Sequence, residues 1–184
     1  MTKLFVALFL FISIIALNSC SVTRFIGYYA AADDDNSGNL NGQVFKTDDT
    51  SYRIGALAAT WKRNKIDGGD LAFTNSPIDA TMTVNSTCNE KKKNYSLKAL
   101  SESLLIGIKG KEALEREEIT VDGQEALRTI YIGSLNNVPI KIATVVLKKD
   151  ICVYDFTYAS SPTNFDLGIV DFDTFVSQFK ALWL

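Results

Sequence analysis

The chain contains no histidine. That absence removes Ser-His-Asp and Cys-His catalysis, and with them the commonest metal ligand. Glycine patterns that would cradle a nucleotide are missing too: no Walker A motif, no dinucleotide fingerprint and no G-x-S-x-G elbow. Of three cysteines, Cys20, Cys88 and Cys152, no two form a C-x-x-C redox pair. Nor is there a basic surplus, since the formal net charge is −2. A mildly acidic chain is a poor partner for nucleic acid.

What is present begins at the N-terminus. Lys3 precedes an apolar run, Leu4 to Leu17, broken only by Ser13. At roughly 14 residues the run is shorter than the ~20 needed to span a bilayer as a helix. A basic start and an apolar block of this length describe a secretory signal. The run ends in "LNSC", and this resembles a bacterial lipobox, with aliphatic Leu17, small Ser19 and then Cys20. Asn18 stands where a small residue is usual. The resemblance implies that residues 1–19 are removed and that Cys20 carries a diacylglycerol thioether and an acylated amine. An ordinary signal peptide with an incidental cysteine, or an uncleaved anchor, is the alternative. Ser21 follows, where an inner-membrane retention signal would have Asp. In a Gram-negative cell that implies the periplasmic face of the outer membrane, with a membrane contact through the lipid anchor.

If Cys20 is lipidated, Cys88 and Cys152 remain, and an oxidising compartment favours their pairing. Two buried free thiols are the alternative. Residues 20–42 read as a lipidated cysteine and flexible tether, apolar at first and ending in Asp, Asn, Ser and Gly. Within it, Asp33, Asp35, Ser37 and Gly38 mimic part of a calcium loop. Its twelfth position is Val44 rather than a bidentate carboxylate, so a solvated acidic linker is the better reading.

Residues 43–184 read as a single α+β domain. Short strand patterns with turn punctuation run to Cys88, and "ATMTVNSTC" alternates cleanly. The period then becomes helical: Leu97, Leu100, Leu104 and Ile108, widened by Leu105, predict a helix capped by Ser96 and stopped near Gly110. Asp122-Gly123 predicts a tight hairpin, and "NNV" at 136–138 a second turn. In "CVYDFTYAS" the face of Cys152, Tyr154, Phe156 and Tyr158 is the expected core face. Phe172, Phe175, Val176, Phe179, Leu182 and Trp183 predict a closing helix, capped by Asp171 or Asp173.

Two weak catalytic signals and three basic clusters remain. Ser177 and Lys180 form an S-x-x-K, without the companion elements that a penicillin-recognising enzyme needs. Glu115 and Glu117 would share a strand face beside Arg116 and Glu118, which on a strand usually means a wet, charged face. The basic clusters are Lys62/Arg63/Lys65, Lys91/Lys92/Lys93 and Lys148/Lys149, each beside a strand end or turn. Convergence of two of them would give a face for anionic headgroups or an acidic partner.

The order of these blocks, with "ATWKRNKIDGGDLAF", "SLKALSESLLIGI", "VDGQEALRTIYI", "CVYDFTYAS" and a closing Phe helix, resembles the PsbP-like family. That family includes the extrinsic subunit of photosystem II and the envelope lipoprotein DcrB. The resemblance spans 44–184 and implies an antiparallel sheet sandwiched by helices, in an assembly or accessory protein. The expected function is therefore a lipid-anchored, non-catalytic envelope protein without a cofactor, contacting an envelope protein or lipid. A small-ligand or lipid carrier with an apolar cleft is the alternative, and a histidine-independent hydrolase stands behind it.

Overall fold

A computed structural model describes residues 39–66 and 69–182. The signal segment, Cys20, the Asp33–Gly38 stretch and Trp183 lie outside the described residues. Two antiparallel sheets carry the fold. The larger has seven strands in the order β4-β5-β6-β10-β9-β8-β7, and the smaller has the order β1-β2-β3-β11. Strands β5 (Leu71–Asn75), β6 (Ala80–Cys88), β7 (Lys109–Val121), β8 (Gln124–Leu135), β9 (Val138–Lys149) and β10 (Cys152–Ser160) form most of the large sheet. Its first edge is β4 (Lys62–Asn64). The small sheet is β1 (Asn39–Asn41), β2 (Val44–Lys46), β3 (Ser51–Arg53) and β11 (Lys180–Leu182). Among the described residues the α-helices are α1 (Glu90–Lys93), α2 (Leu97–Ser103) and α3 (Ile169–Ser177). This is the α+β architecture expected from the sequence. The described sheet starts four residues before the expected domain start at 43, with β1 at Asn39–Asn41.

The turns explain the register. Asp122 and Gly123 both have positive φ, as do Asn136 and Asn137. Two consecutive left-handed residues make the turn whose twist matches flanking strands, and Asn, Asp and Gly adopt it most cheaply. Strands β7, β8 and β9 therefore meander in fixed register. The inner face of the large sheet packs Met82, Val84, Tyr154, Phe156 and Tyr158 against Phe172, Phe175 and Val176 of α3 and Phe45 and Tyr52 of the small sheet. Phe179 closes this core, its ring centroid 5.0 Å from those of both Tyr154 and Phe156.

The closing helix is shorter than its periodicity predicts. It ends at Ser177, and Lys180–Leu182 pairs with Ser51–Arg53 instead. The edge of β3 offers backbone partners that a helix continuation would leave unmet, and Ala181 N also donates to Asp122 Oδ2 (3.1 Å). Asp171 and Asp173 do not cap α3; its N-cap is Gly168, without a side-chain hydrogen bond. Asp171 accepts from Trp61 Nε1 (2.8 Å), and Asp173 pairs with Arg128.

The leucine helix is also shorter. Ser96 caps it as predicted, accepting from Ala99 N at 3.1 Å. It stops at Ser103, however, and Gly107 at φ +88° turns the chain outward before Gly110 is reached. Ile108 then drops against Tyr131, Leu135 and Ile140 on the outer face of the sheet. Gly133 is the residue that admits it, because a Cβ there would meet Ile108 Cγ2 at 2.6 Å.

Strand β10 departs from a one-sided reading. Its aromatic face is core, as expected, yet all nine of its residues are buried. A central strand with cover on both faces has no wet side. Asp155 is consequently inside the protein, 8% exposed.

Candidate functional site

The basic clusters separate in three dimensions. Lys62 and Arg63 lie exposed on β4, and Lys65 just beyond it, at the far edge of the sheet from β7. Lys91, Lys92 and Lys93 form α1, whose N-cap Asn89 accepts from Lys91 N at 2.8 Å. Strand alternation splits the third cluster. Lys149 points to the inner face and pairs with Asp122 (2.6 Å). Lys148 points outward and donates to the Lys93 carbonyl at 3.0 Å. Thus Lys91–Lys93 and Lys148 converge, whereas Lys149 and the Lys62 cluster stay apart from them.

Beside Lys148 an open groove of about 630 Å³ runs between the start of α2 and strands β7 and β8. Lys98, Arg116 and Lys148 line it together with Glu118 and Glu125, over Leu97 and Leu127. Charged side chains rim it, while much of its lining is apolar, from Leu97, Leu127 and the stems of the long side chains. In the sequence Lys98 stands alone and Arg116 sits among the acids Glu115, Glu117 and Glu118, so neither marks a basic cluster.

The disulfide anchors the same end. Cys88 and Cys152 are bonded, being direct cross-strand partners on β6 and β10. Cys152 is the first residue after the β9–β10 turn, and Cys88 ends β6 just before Asn89, the N-cap of α1, so the bridge holds the turn beside the lysines.

A second polar constellation lies under this end. Asp70, just before β5, accepts from Tyr52 Oη (2.9 Å) and from Ser86 Oγ. Its backbone N–H donates to Asn85 Oδ1 (3.2 Å), and Asn85 Nδ2 donates to Asp155 Oδ1 (3.0 Å). Asn85 thereby links two carboxylates that point to opposite faces of the sheet. Burial pushes each carboxyl up to about 6; hydrogen bonds from Ser86 and Tyr52 to Asp70, and from Asn85 to Asp155, offset it only in part. Tyr52 is driven well above its ordinary range, first by burial and then by the charge of Asp70. The group clamps the small sheet to the large one. Sequence reading missed it, since Asp70 sits in a polar turn and Asp155 occupies the strand face taken as the less apolar.

The weak catalytic signals do not assemble. Ser177 Oγ donates to Thr174 O (2.9 Å) within α3, whereas Lys180 belongs to β11. The two no longer share a helix face, as S-x-x-K chemistry requires. Glu115 and Glu117 do share a face and both approach Arg128, at 3.7 and 3.3 Å. Arg128 also holds Asp173 through two bonds of 2.9 and 3.0 Å, so these acids serve to dock α3 on the sheet. Among the described residues no group of three or more Asp, Glu, Cys or His could hold a metal ion. Nor is any helix among them long and apolar enough to cross a membrane.

No protein-family model matches the sequence, and no curated protein matches it. Solved structures do share its fold. LpqN, described as involved in cell envelope biogenesis of Mycobacterium tuberculosis, aligns with TM-score 0.56 at 11% identity, over 80% of this chain and 90% of its own. The cyanobacterial PsbP (CyanoP) of Synechocystis sp. PCC 6803 aligns with TM-score 0.51 at 13% identity, over 91% and 99%. A protein of Bacteroides thetaiotaomicron gives TM-score 0.53 at 7% identity, over 72% of this chain and 45% of that one. The fold is PsbP-like, as the order of sequence blocks implied.

Proposed function

We propose that this chain is a lipid-anchored, non-catalytic protein of the bacterial cell envelope. In this reading Cys20 carries the anchor, on the periplasmic face of an outer membrane, and the domain binds or stabilises a neighbouring envelope component. The observation that carries it is the convergence of Lys91–Lys93 with Lys148 beside a charged groove. An envelope role for LpqN, which shares the fold, supports the setting. A binding role is further supported by the spent state of the candidate catalytic groups: Ser177 is bonded to its own helix, and Glu117 is paired with Arg128.

The anchor is tested by fatty-acid labelling of cells. Cys20→Ser will leave the precursor unprocessed and unlabelled, and equal label in wild type and variant would remove the assignment. The binding face is tested by crosslinking pull-down from native membranes. Lys91→Glu with Lys93→Glu will weaken recovery of the envelope component, and added salt will mimic the loss, because exposed charges are screened beyond ~8–10 Å. Thermal unfolding will be nearly unchanged, as such exposed substitutions shift stability by about 0.5 kcal/mol or less. Undiminished recovery would discard this face, and turnover of an envelope substrate that Glu117→Gln abolishes would discard the non-catalytic reading.

A further inference from the structure

The N-terminal segment enters the domain at the end that bears α1. Asn39 pairs with Lys46, and the turn that follows Lys46 runs through Thr50. Thr50 Oγ1 lies 3.1 Å from Tyr154 Oη, and Tyr154 is two residues beyond the Cys152 end of β10. Through Cys152 and its bond to Cys88, that end carries α1. The first described strand therefore starts at the end of the domain that holds the β9–β10 turn and the lysine helix.

Two large apolar side chains stand out among those charges. Tyr95 is 58% exposed, directly after α1, and Ile151 is 48% exposed at the tip of the β9–β10 turn. Tyr95 N donates to the Lys92 carbonyl (3.2 Å), and Ile151 adjoins Cys152, so both belong to the surface of Lys91–Lys93 and Lys148. Acidic groups also lie at this end. Asp48 and Asp49 lie in the turn of the small sheet, on the inner side, and Asp122 is neutralised by Lys149; Glu90 and Asp150 adjoin the lysines in sequence, Asp155 lies near Lys92, and Glu118 and Glu125 share the groove with Lys148. Lys91, Lys92, Lys93 and Lys148 thus gather at this end, with acids interspersed, around an aromatic and an aliphatic tip.

From this arrangement we infer that the outer side of the tether-proximal end is a docking surface for an anionic lipid bilayer. The inference rests on the lipid-anchored reading for its orientation, and it names the component that the basic face meets. A bilayer interface takes cations at its phosphates and Tyr or aliphatic tips just beneath them. Protein interfaces also take Tyr and aliphatic side chains, so it is the short tether rather than Tyr95 and Ile151 that favours a bilayer over an acidic protein. Position adds to the case. Residues 20–38, even fully extended, reach no more than roughly 65 Å, so an anchored domain meets the membrane at high effective concentration. Contacts too weak to hold a free domain suffice under that condition.

The test uses the purified full chain mixed with vesicles of neutral phosphatidylcholine, or of the same lipid with phosphatidylglycerol. Amide hydrogen exchange is followed at residues 89–96 and 148–152, and flotation reports vesicle binding. Wild type on anionic vesicles will exchange at least about tenfold more slowly there than on neutral ones, and high salt will remove the difference. Lys91→Glu with Lys93→Glu will abolish the protection, and Tyr95→Ser with Ile151→Ser will reduce it. Both variants spare Lys92, which approaches Thr87 Oγ1 at 3.3 Å, and both should fold. Equal exchange on the two vesicle types overturns the inference while the anchor stands, and protection on anionic vesicles of a chain whose mass shows no lipid upholds the surface while removing the anchor. A chain that floats with neither kind of vesicle overturns both. Protection that appears only when an acidic envelope protein is added reassigns the face to that protein and overturns the lipid assignment.

Discussion

Replacing Cys88 and Cys152 together by serine will lower unfolding stability by about 2–4 kcal/mol. The bond joins residues 64 apart in sequence. Closing a loop of that length removes denatured-state entropy worth ~4 kcal/mol, and any native strain subtracts from it. The partners are cross-strand neighbours in a ladder that runs from Cys152↔Cys88 to Ser160↔Ala80. The bridge thus adds little to native geometry already set by pairing, and its action falls on the unfolded chain. Urea unfolding of oxidised wild type against the double variant measures the effect, and reductant added to wild type should reproduce it. A midpoint unmoved by both treatments would show that the bond does not constrain the unfolded ensemble. Native sheet signals should persist in the variant below its midpoint, since the same strands remain paired.

The second large effect is a stability that rises as the solution becomes more acidic. Asp70 and Asp155 both have folded-state values near 6, raised from 3.8 by burial. A carboxyl raised in the folded state binds its proton more tightly there than in the unfolded chain. Its stabilising contribution is complete below about pH 4 and is lost as pH rises through 6. Between pH 7.5 and 5 each group should add about 1.4 kcal/mol, so the pair adds roughly 2–3 kcal/mol. Asp155→Asn keeps an acceptor for Asn85 Nδ2 while removing the buried charge, so it should raise the melting temperature at pH 7.5, change it little at pH 5 and halve the slope. Asp70→Asn should act in the same direction, because an amide oxygen can still accept from Tyr52 and Ser86. A wild-type domain whose stability falls steadily from pH 7.5 to 5 would contradict the assignment.

Local signals in the sequence determined much of this protein. Positive-φ residues at Asp122-Gly123 and Asn136-Asn137 set two hairpins, because few residues tolerate that backbone and these do. The alternation of Met82 and Val84, and of Cys152, Tyr154, Phe156 and Tyr158, identified the inner core face, since a strand's side chains alternate strictly. Ser96 marked a helix start by the same kind of short-range chemistry. Tertiary structure alone decided where helices stop. Phe179 and Leu182 keep helical spacing, yet β3 had an open edge, and pairing it outweighed the local period. It also decided which charges matter. Adjacent lysines 148 and 149 look alike in sequence, but strand alternation sends one to α1 and the other to Asp122. Asp155 reads as a solvent-facing residue beside an aromatic face, and becomes a buried acid only because β10 is central and covered on both sides. Its link to Asp70 passes through Asn85 on another strand, 70 residues away in sequence, and no local pattern encodes a contact of that kind.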